Sequence, residues 1–255
     1  MDHAAALSPR TFYSQHGEDA LIAEAFSDVA EGYFVEVGCI DGRRASNTLM
    51  LEELGWTGCC VEAHEDYVEL VRRNRPRSRV LHCAVGDRDA GEIAFYSNAR
   101  GSLSTLDRSL GPEFARRYGA CFHGFVEKRV RMRTISSILD EIGAAQVHVM
   151  SIDIEGCDHL AVRGLDLGRH RPELLIVEAG SAEAEREIDA KMLGAGYLRG
   201  VKVAGCNVMY FRERERLARL AGRRFRGESR LTAHPMDDAP DDRVPFTIDV
   251  PPLAA

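Results

Sequence analysis

From about residue 33, short apolar runs alternate with amphipathic segments. "YFVEVG" reads as a buried strand, "SNTLMLEELG" as a helix closed by Gly55, and "TGCCVEA" as the next strand. "EDYVELVRRNRP" is a helix stopped near Pro76, and "RVLHCAVGD" a third strand. After a break come the extended "KRVRMRT", the helix "ISSILDEIG", the strand "VHVMSIDI" and the helix "CDHLAVRGL". "ELLIVEAG" is a further strand and "AEAEREIDAKMLGAG" a helix. Strands separated by helices of this length imply right-handed crossovers and a parallel sheet covered on both faces. The end of the pattern differs, because "YLRGVKVAG" and "CNVMYFRER" meet at Ala204-Gly205 with no helix between them, which predicts an antiparallel hairpin. The fold class is α/β, a doubly wound and mostly parallel sheet.

Two segments stand outside the alternation. Residues 97–130 hold turn formers and a basic helical piece, an insert of the length that commonly forms a lid or substrate loop. Residues 228–255 carry most of the prolines and the acidic "MDDAPDD", which predicts a loosely packed or partner-dependent tail, on its own domain or on a neighbouring copy in a homo-oligomer. The resulting division is 1–32, a segment leading into the domain; 33–212, the domain with its insert; and 213–255, a C-terminal helix and tail. With 255 residues, 45% of them apolar, one large core is the expectation. No run reaches the roughly eighteen apolar residues of a membrane span, and "MDHAAALSPR" lacks the apolar stretch of a secretory leader, so a cytoplasmic home is expected. The seven cysteines are odd in number and form no C-x-x-C pair, and read as reduced core residues. A net charge of −7 argues against a nucleic-acid partner.

Candidate chemistry gathers at the strand ends. "FVEVGCIDGRRAS" places Glu36, Gly38 and Gly42 where the first strand turns out of the sheet, the position at which open parallel sheets bind ligands. The spacing departs from G-x-G-x-x-G, which weakens a nucleotide-dependent oxidoreductase. Glu62 closes the second strand, where a carboxylate can accept from both hydroxyls of a ribose, and "AVGD" at 84–87 closes the third, where an adenine edge could lie. Together these point to S-adenosylmethionine; strand-end capping by Glu36 and Glu62 is the plain alternative.

The chain resembles the FkbM family of S-adenosylmethionine-dependent methyltransferases, through "YSQHGEDALI", "GYFVEVGCIDGRRASNTLMLEELGWTGCCVEA", "CAVGD", "SIDIEGCDHLAVRGL" and "ELLIVEAG" in that order, over residues 11–212. The resemblance implies a seven-stranded class I methyltransferase sheet, Rossmann-like, ending in an antiparallel hairpin. It implies methyl transfer to a hydroxyl of a natural product or saccharide. It also implies that Glu36, Gly38, Gly42 and Ser46 line the cofactor's methionine end, that Glu62 holds the ribose, and that Ala84 and Val85 approach the adenine. Gln15, Gly17 and Asp19 would fold across the open side. His64 departs from the family, which more often has proline and asparagine after the acid.

"SIDIEGCDHLA" would then be the fourth strand and the helix after it. Asp153 and Glu155 would project to one side, facing the methyl donor, if the extended conformation continued through Glu155. One of them, or a nearby histidine such as His16 or His123, could deprotonate an acceptor hydroxyl. Alternatively Asp153 and perhaps Glu178 could hold magnesium, Mg2+ acting as a Lewis acid. Asp158 reads as a carboxylate in the first turn of the helix, His159 as a partly buried surface residue and His148 as a packing residue. The seven arginines from 212 to 226 read as a solvated, pair-laced helix. The leading function is an O-methyltransferase acting on a small-molecule hydroxyl acceptor. A noncatalytic module that binds S-adenosylmethionine or a glycan is the rival from another class.

Overall fold

The computed structural model describes residues 11–98, 101–233 and 241–253. In chain order its main elements are α1 (Glu18–Ala25), β1 (Tyr33–Val37), α2 (Leu49–Glu53), β2 (Thr57–Glu62), α3 (Glu65–Asn74), β3 (Ser78–His82), β4 (Ala84–Val85), β5 (Ala90–Asn98) and β6 (Gly101–Thr105). Then come α4 (Gly111–Tyr118), β7 (Phe125–Arg133), α5 (Ile135–Ile142), β8 (Val149–Ile152), α6 (Asp158–Arg163), β9 (Leu174–Glu178) and α7 (Ala182–Gly194). The chain closes with β10 (Leu198–Val203), β11 (Asn207–Phe211), α8 (Arg214–Ala218), β12 (Arg224–Leu231) and β13 (Asp242–Asp249).

Seven strands form the central sheet in the order β10-β11-β9-β8-β1-β2-β3, with β3-β2-β1-β8-β9 parallel and β11 antiparallel to both its neighbours. The chain leaves β1 toward β3 and later returns on the other side of β1, so the strand order reverses between β1 and β8. Side-chain alternation divides the core accordingly. Phe34 and Val149 point into the layer built with Leu21, Ile22, Trp56 and Leu217, while Val35, Val37, Met150 and Ile152 point into the layer built with Ile135, Ile138, Val162 and Ile188. Among the described residues no helix is long and apolar enough to cross a membrane.

Glu36 lies on the Phe34 face, and there the sheet holds a charge in its interior. Pro76 disfavours helical geometry for the residue before it, so α3 stops at Asn74 and Arg75 takes φ −123°, ψ 63°. That turn sends the Arg75 side chain, fully buried, over the Phe34 ring and between two carboxylates: Nη1 to Glu36 at 2.8 Å and Nε to Glu52 at 2.8 Å. Arg75 also donates to the Gly42 carbonyl at 3.2 Å and to Thr48 Oγ1 at 2.7 Å. Burial opposes its charge, but Cys60, Glu36 and Glu52 outweigh this and raise its pKa.

Four expectations need correction. The third strand ends at His82; Ala84 and Val85 leave the main sheet and pair with Met132 and Arg133 of β7, in a second sheet ordered β4-β7-β5-β6. The 97–130 insert holds the expected basic helix as α4, and adds β6 and part of β7 to this second sheet. The C-terminal segment packs firmly: β12 and β13 pair from Arg224↔Asp249 to Leu231↔Asp242, and Phe246, Ile248 and Val250 are buried in the α1 layer. Of its acidic "MDDAPDD", residues 236–240 lie outside the described residues, while Asp241 pairs with Arg230 and Asp242 begins β13. The arginine run is not one solvated helix: α8 spans five residues, Arg224 and Arg226 lie on β12, and Arg216 on α8 with Arg219 and Arg223 after it fastens the segment to the α1 end, Arg216 and Arg219 pairing with Asp28 and Arg223 with Glu24. Of the cysteines, Cys121 is exposed; Cys39, Cys59, Cys60, Cys83 and Cys157 are buried, and none is in a disulfide among the described residues.

Replacing Arg75 by methionine leaves two buried carboxylates without their counter-charge. The expected loss is about 3–5 kcal/mol of stability, read as a lower urea midpoint with an unchanged denaturant slope.

Candidate functional site

A cleft of about 900 Å³ opens where the carboxyl ends of β1, β2 and β8 meet, at the reversal of strand order, and β4 and β6 wall its far side. Its floor depends on Gly38. A Cβ there would lie 1.8 Å from the Asp153 carbonyl oxygen, and φ is +79°, so only glycine lets the ends of β1 and β8 touch. Gly42, also left-handed, leaves room for the Arg75 stem. Among the described residues five non-glycine residues have positive φ, and four of them, Ile40, Ala45, Leu103 and Glu155, line this cleft. Such strain persists where surrounding structure enforces it, and it clusters at binding and catalytic sites.

The candidate residues separate into groups. Glu36, Gly38, Ser46, Glu62, Ala84, Val85, Asp153 and Glu155 all line the cleft. The Glu36 carboxylate is committed, accepting from Ser46 Oγ at 2.9 Å, the Asn47 amide at 2.9 Å, Thr48 Oγ1 at 2.8 Å and Arg75. Ser46 is in turn spent on Glu36 and on the amides of Thr48 and Leu49. Glu62 accepts from the amides of Cys39, Ile40 and His64 at 2.8–3.1 Å, and burial pushes its pKa up to about 7. His64 is buried beside the Tyr67 ring, with its Nε2 2.6 Å from Ser97 Oγ; burial pushes it down to about 4, so it is neutral.

Gln15, Gly17 and Asp19 are not brought to the cleft wall. Gln15 is exposed, Gly17 packs against the Phe246 ring, and Asp19 accepts from the amides of Tyr13 and Ser14. Their segment supports the site from behind, through a bridge between Ser14 and Ala45. His16 and His123 are likewise absent from the cleft lining among the described residues.

The extended conformation does not run through Glu155: β8 ends at Ile152, and Glu155 has φ +58°. Asp158 stands in the first turn of α6 as expected, and its carboxylate turns back to accept from the amides of Ile154 at 2.8 Å and Gly156 at 3.0 Å. Oxygens of Asp153, Asp158 and Glu178 thereby come within 4.8 Å of one another. Asp153 reaches solvent at the mouth of the cleft although protein surrounds it, and it hydrogen-bonds Glu178. Burial, followed by the neighbouring carboxylates, pushes Glu155 and Glu178 up to about 8 and Asp158 to about 7. Asp153 is raised well above the carboxylate range by burial and then by Glu178 and Glu18. Among the described residues no lysine or arginine forms an ion pair with these groups.

A second cavity of about 1020 Å³ adjoins the first, between α4 of the insert and the starts of α6 and α7. Leu110, Phe114 and Tyr118 face His159 and Glu178 across it, and Glu155 lines both cavities.

The family model described as the methyltransferase FkbM domain matches residues 36–199, well over half of the chain. The chain belongs to the FkbM methyltransferase family. The FkbM domain is S-adenosylmethionine-dependent, and among the residues lining the cleft are Glu62 at the end of β2 and Gly38 after β1. No curated protein matches. Similar solved structures include a TehB-like S-adenosylmethionine-dependent methyltransferase from Corynebacterium glutamicum, 10% identical, covering 78% of this chain and 89% of that one with a TM-score of 0.41. A precorrin-6y methyltransferase from Geobacter metallireducens is 10% identical, covering 83% and 96% with a TM-score of 0.43. An O-methyltransferase from Bacillus cereus in complex with SAH is 13% identical, covering 82% and 86% with a TM-score of 0.41.

Sequence reasoning missed the strip Ser102–Leu106, which lines the FkbM cleft from β6, and Arg44 and Tyr118. A basic residue in "DGRRAS" was the only signal for Arg44; β6 offered none, since its Leu103 holds a left-handed conformation that no local residue choice advertises.

The acid cluster fixes a pH dependence for the ligand-free FkbM domain. Its carboxyls titrate at 3.8–4.5 ordinarily and at about 7 to 8 when folded, so the native state holds protons the unfolded chain has released. Their contribution is complete below the ordinary values and is lost as the pH rises through 7 to 8. Melting temperature should therefore fall between about pH 5 and pH 8 and level off above, and Glu178→Gln should flatten that slope.

Proposed function

We propose that this FkbM-family enzyme transfers the methyl group of S-adenosylmethionine to a hydroxyl oxygen of a small metabolite, a natural product or saccharide, with Glu155 as the base. The observation that carries the reading is the position of Glu155, whose residue forms part of the wall of both cavities. A donor in the first cleft and an acceptor in the second would meet at this side chain. When bound, the donor supplies a methyl carbon with a good leaving group, and the acceptor oxygen attacks that carbon in line. The carbon–sulfur bond breaks with its electron pair left on sulfur, and the hydroxyl proton passes to the Glu155 carboxylate.

A base works best with a pKa near the working pH, and Glu155 at about 8 meets this condition. Asp153, sharing a hydrogen bond with Glu178, orients the acceptor. Glu62 is suited to the ribose, and Ala84 and Val85 to the adenine, in line with the family resemblance. The second cavity mixes apolar and polar lining, Leu110, Phe114 and Tyr118 beside several acids, as small-molecule sites do. Its lining holds Glu113, Glu155, Glu178, Glu183 and Glu187 against Arg117 and Arg163, a balance that favours a neutral polyhydroxyl compound over a polyanion.

The carboxylate trio supports a second reading, a magnesium ion in place of the base. Asp158 weighs against it, because both its oxygens already serve backbone amides. Labelled S-adenosylmethionine with a metabolite pool, read by mass spectrometry, identifies the acceptor and excludes a noncatalytic module if product forms. With that acceptor, Glu155→Gln should lower kcat by roughly 10²–10⁴ while cofactor affinity holds, and wild-type kcat/KM for S-adenosylmethionine, which reports the ligand-free protein, should climb toward about pH 8. Undiminished turnover in the variant removes Glu155 as base. Chelation should leave the rate unchanged; loss restored by magnesium would establish the metal reading instead.

A further inference from the structure

We propose that Arg44 grips the carboxylate of the cofactor's methionine end and that the C-terminal hairpin of β12 and β13 holds it there; the proposal rests on S-adenosylmethionine being the ligand of the first cleft. The amino-acid end of that cofactor carries one carboxylate. The cleft is otherwise acidic, lined by Glu36, Glu62, Asp153 and Glu155, and His64 is neutral. Among the described residues Arg44 is the one lysine or arginine in its wall, and it has no carboxylate partner in an ion pair. An anionic group entering this cleft has a single cation to meet.

Arg44 is held from both sides. Asp41 Oδ1 accepts from the amides of Arg43 at 2.9 Å and Arg44 at 2.8 Å, which fixes the turn, and Ala45, left-handed, bridges Ser14. At the other end one guanidinium N–H is donated to the carbonyl of Thr232, just beyond β12. A guanidinium has five N–H donors in a rigid fork, so this tether aims the group and leaves donors for a carboxylate.

The hairpin that presents Thr232 is itself anchored. The Arg230 amide donates to the Phe12 carbonyl at 2.7 Å, the Phe12 and Phe246 rings meet edge-on at 5.7 Å, and Phe246 fills the space beside Gly17, where a Cβ would lie 2.4 Å from its ring. The C-terminal hairpin thus reaches the cofactor through one arginine.

Calorimetry with S-adenosylhomocysteine and with 5′-methylthioadenosine, which lacks the amino-acid end, tests this on the full chain. Arg44→Gln should weaken S-adenosylhomocysteine roughly ten- to hundredfold, as for loss of a charge-assisted pair, and leave 5′-methylthioadenosine unchanged. Arg44→Lys, keeping the charge without the fork, should fall between. Phe246→Leu should show the same selectivity to a smaller degree. Wild-type protein should also bind decarboxylated S-adenosylmethionine more weakly than the intact cofactor, a comparison that needs no variant. Equal losses for both ligands in the variants, or no loss for S-adenosylhomocysteine, overturns the proposal. If neither ligand binds the wild type, the S-adenosylmethionine reading itself falls, and this proposal with it.

Discussion

The cleft depends on one buried charge. Arg75 ties Glu36 at the end of the first strand, Glu52 on the helix after it, and the Gly42 carbonyl and Thr48 hydroxyl of the loop between them. A guanidinium without water is costly, and the cost is met only because two carboxylates and fixed acceptors surround it. The arrangement has a rigid consequence. The loop 38–48, much of which lines the cleft, cannot move without exposing or orphaning a charge.

With that loop fixed, strain and acidity can be held elsewhere in the site. Ile40, Ala45, Leu103 and Glu155 keep left-handed conformations around one cleft, and the carboxyls of Asp153, Glu155, Asp158 and Glu178 share one small region. Neither would survive in a loosely packed setting, since each costs stability that the two core layers must offset. Protons relieve the carboxyls when the site is empty; a bound cationic donor would relieve them by charge, drawing the same groups toward the ionised state that a base requires.

The appended elements act on the same site from outside the central sheet. The second sheet brings β6 over the cleft and, through α4, the aromatic side of the adjoining cavity. The terminal hairpin packs behind the N-terminal segment, which in turn bridges to Ala45. Both additions are placed by the packing of their apolar side chains, Phe95 and Val130 in one case and Phe246 and Ile248 in the other.

The sequence by itself determined the central sheet, because alternation of period two against helical spacing is a local signal, as "YFVEVG" and "ELLIVEAG" show. It also determined the family and the glycine turn after the first strand, and it drew Glu62, Asp153 and Glu155 together as candidates, all three of which line one cleft. Tertiary structure alone decided how those groups are used. Glu36 pairs with Arg75 across thirty-nine residues, and Asp158, which reads as a helix-starting acid, turns back into the acid cluster. The described part of the tail, polar and proline-rich in sequence, packs because Phe246 and Ile248 of β13 find apolar partners far along the chain. Local patterns record which face of an element is apolar; which distant surface covers that face, and which charge meets which, is set only when the layers close.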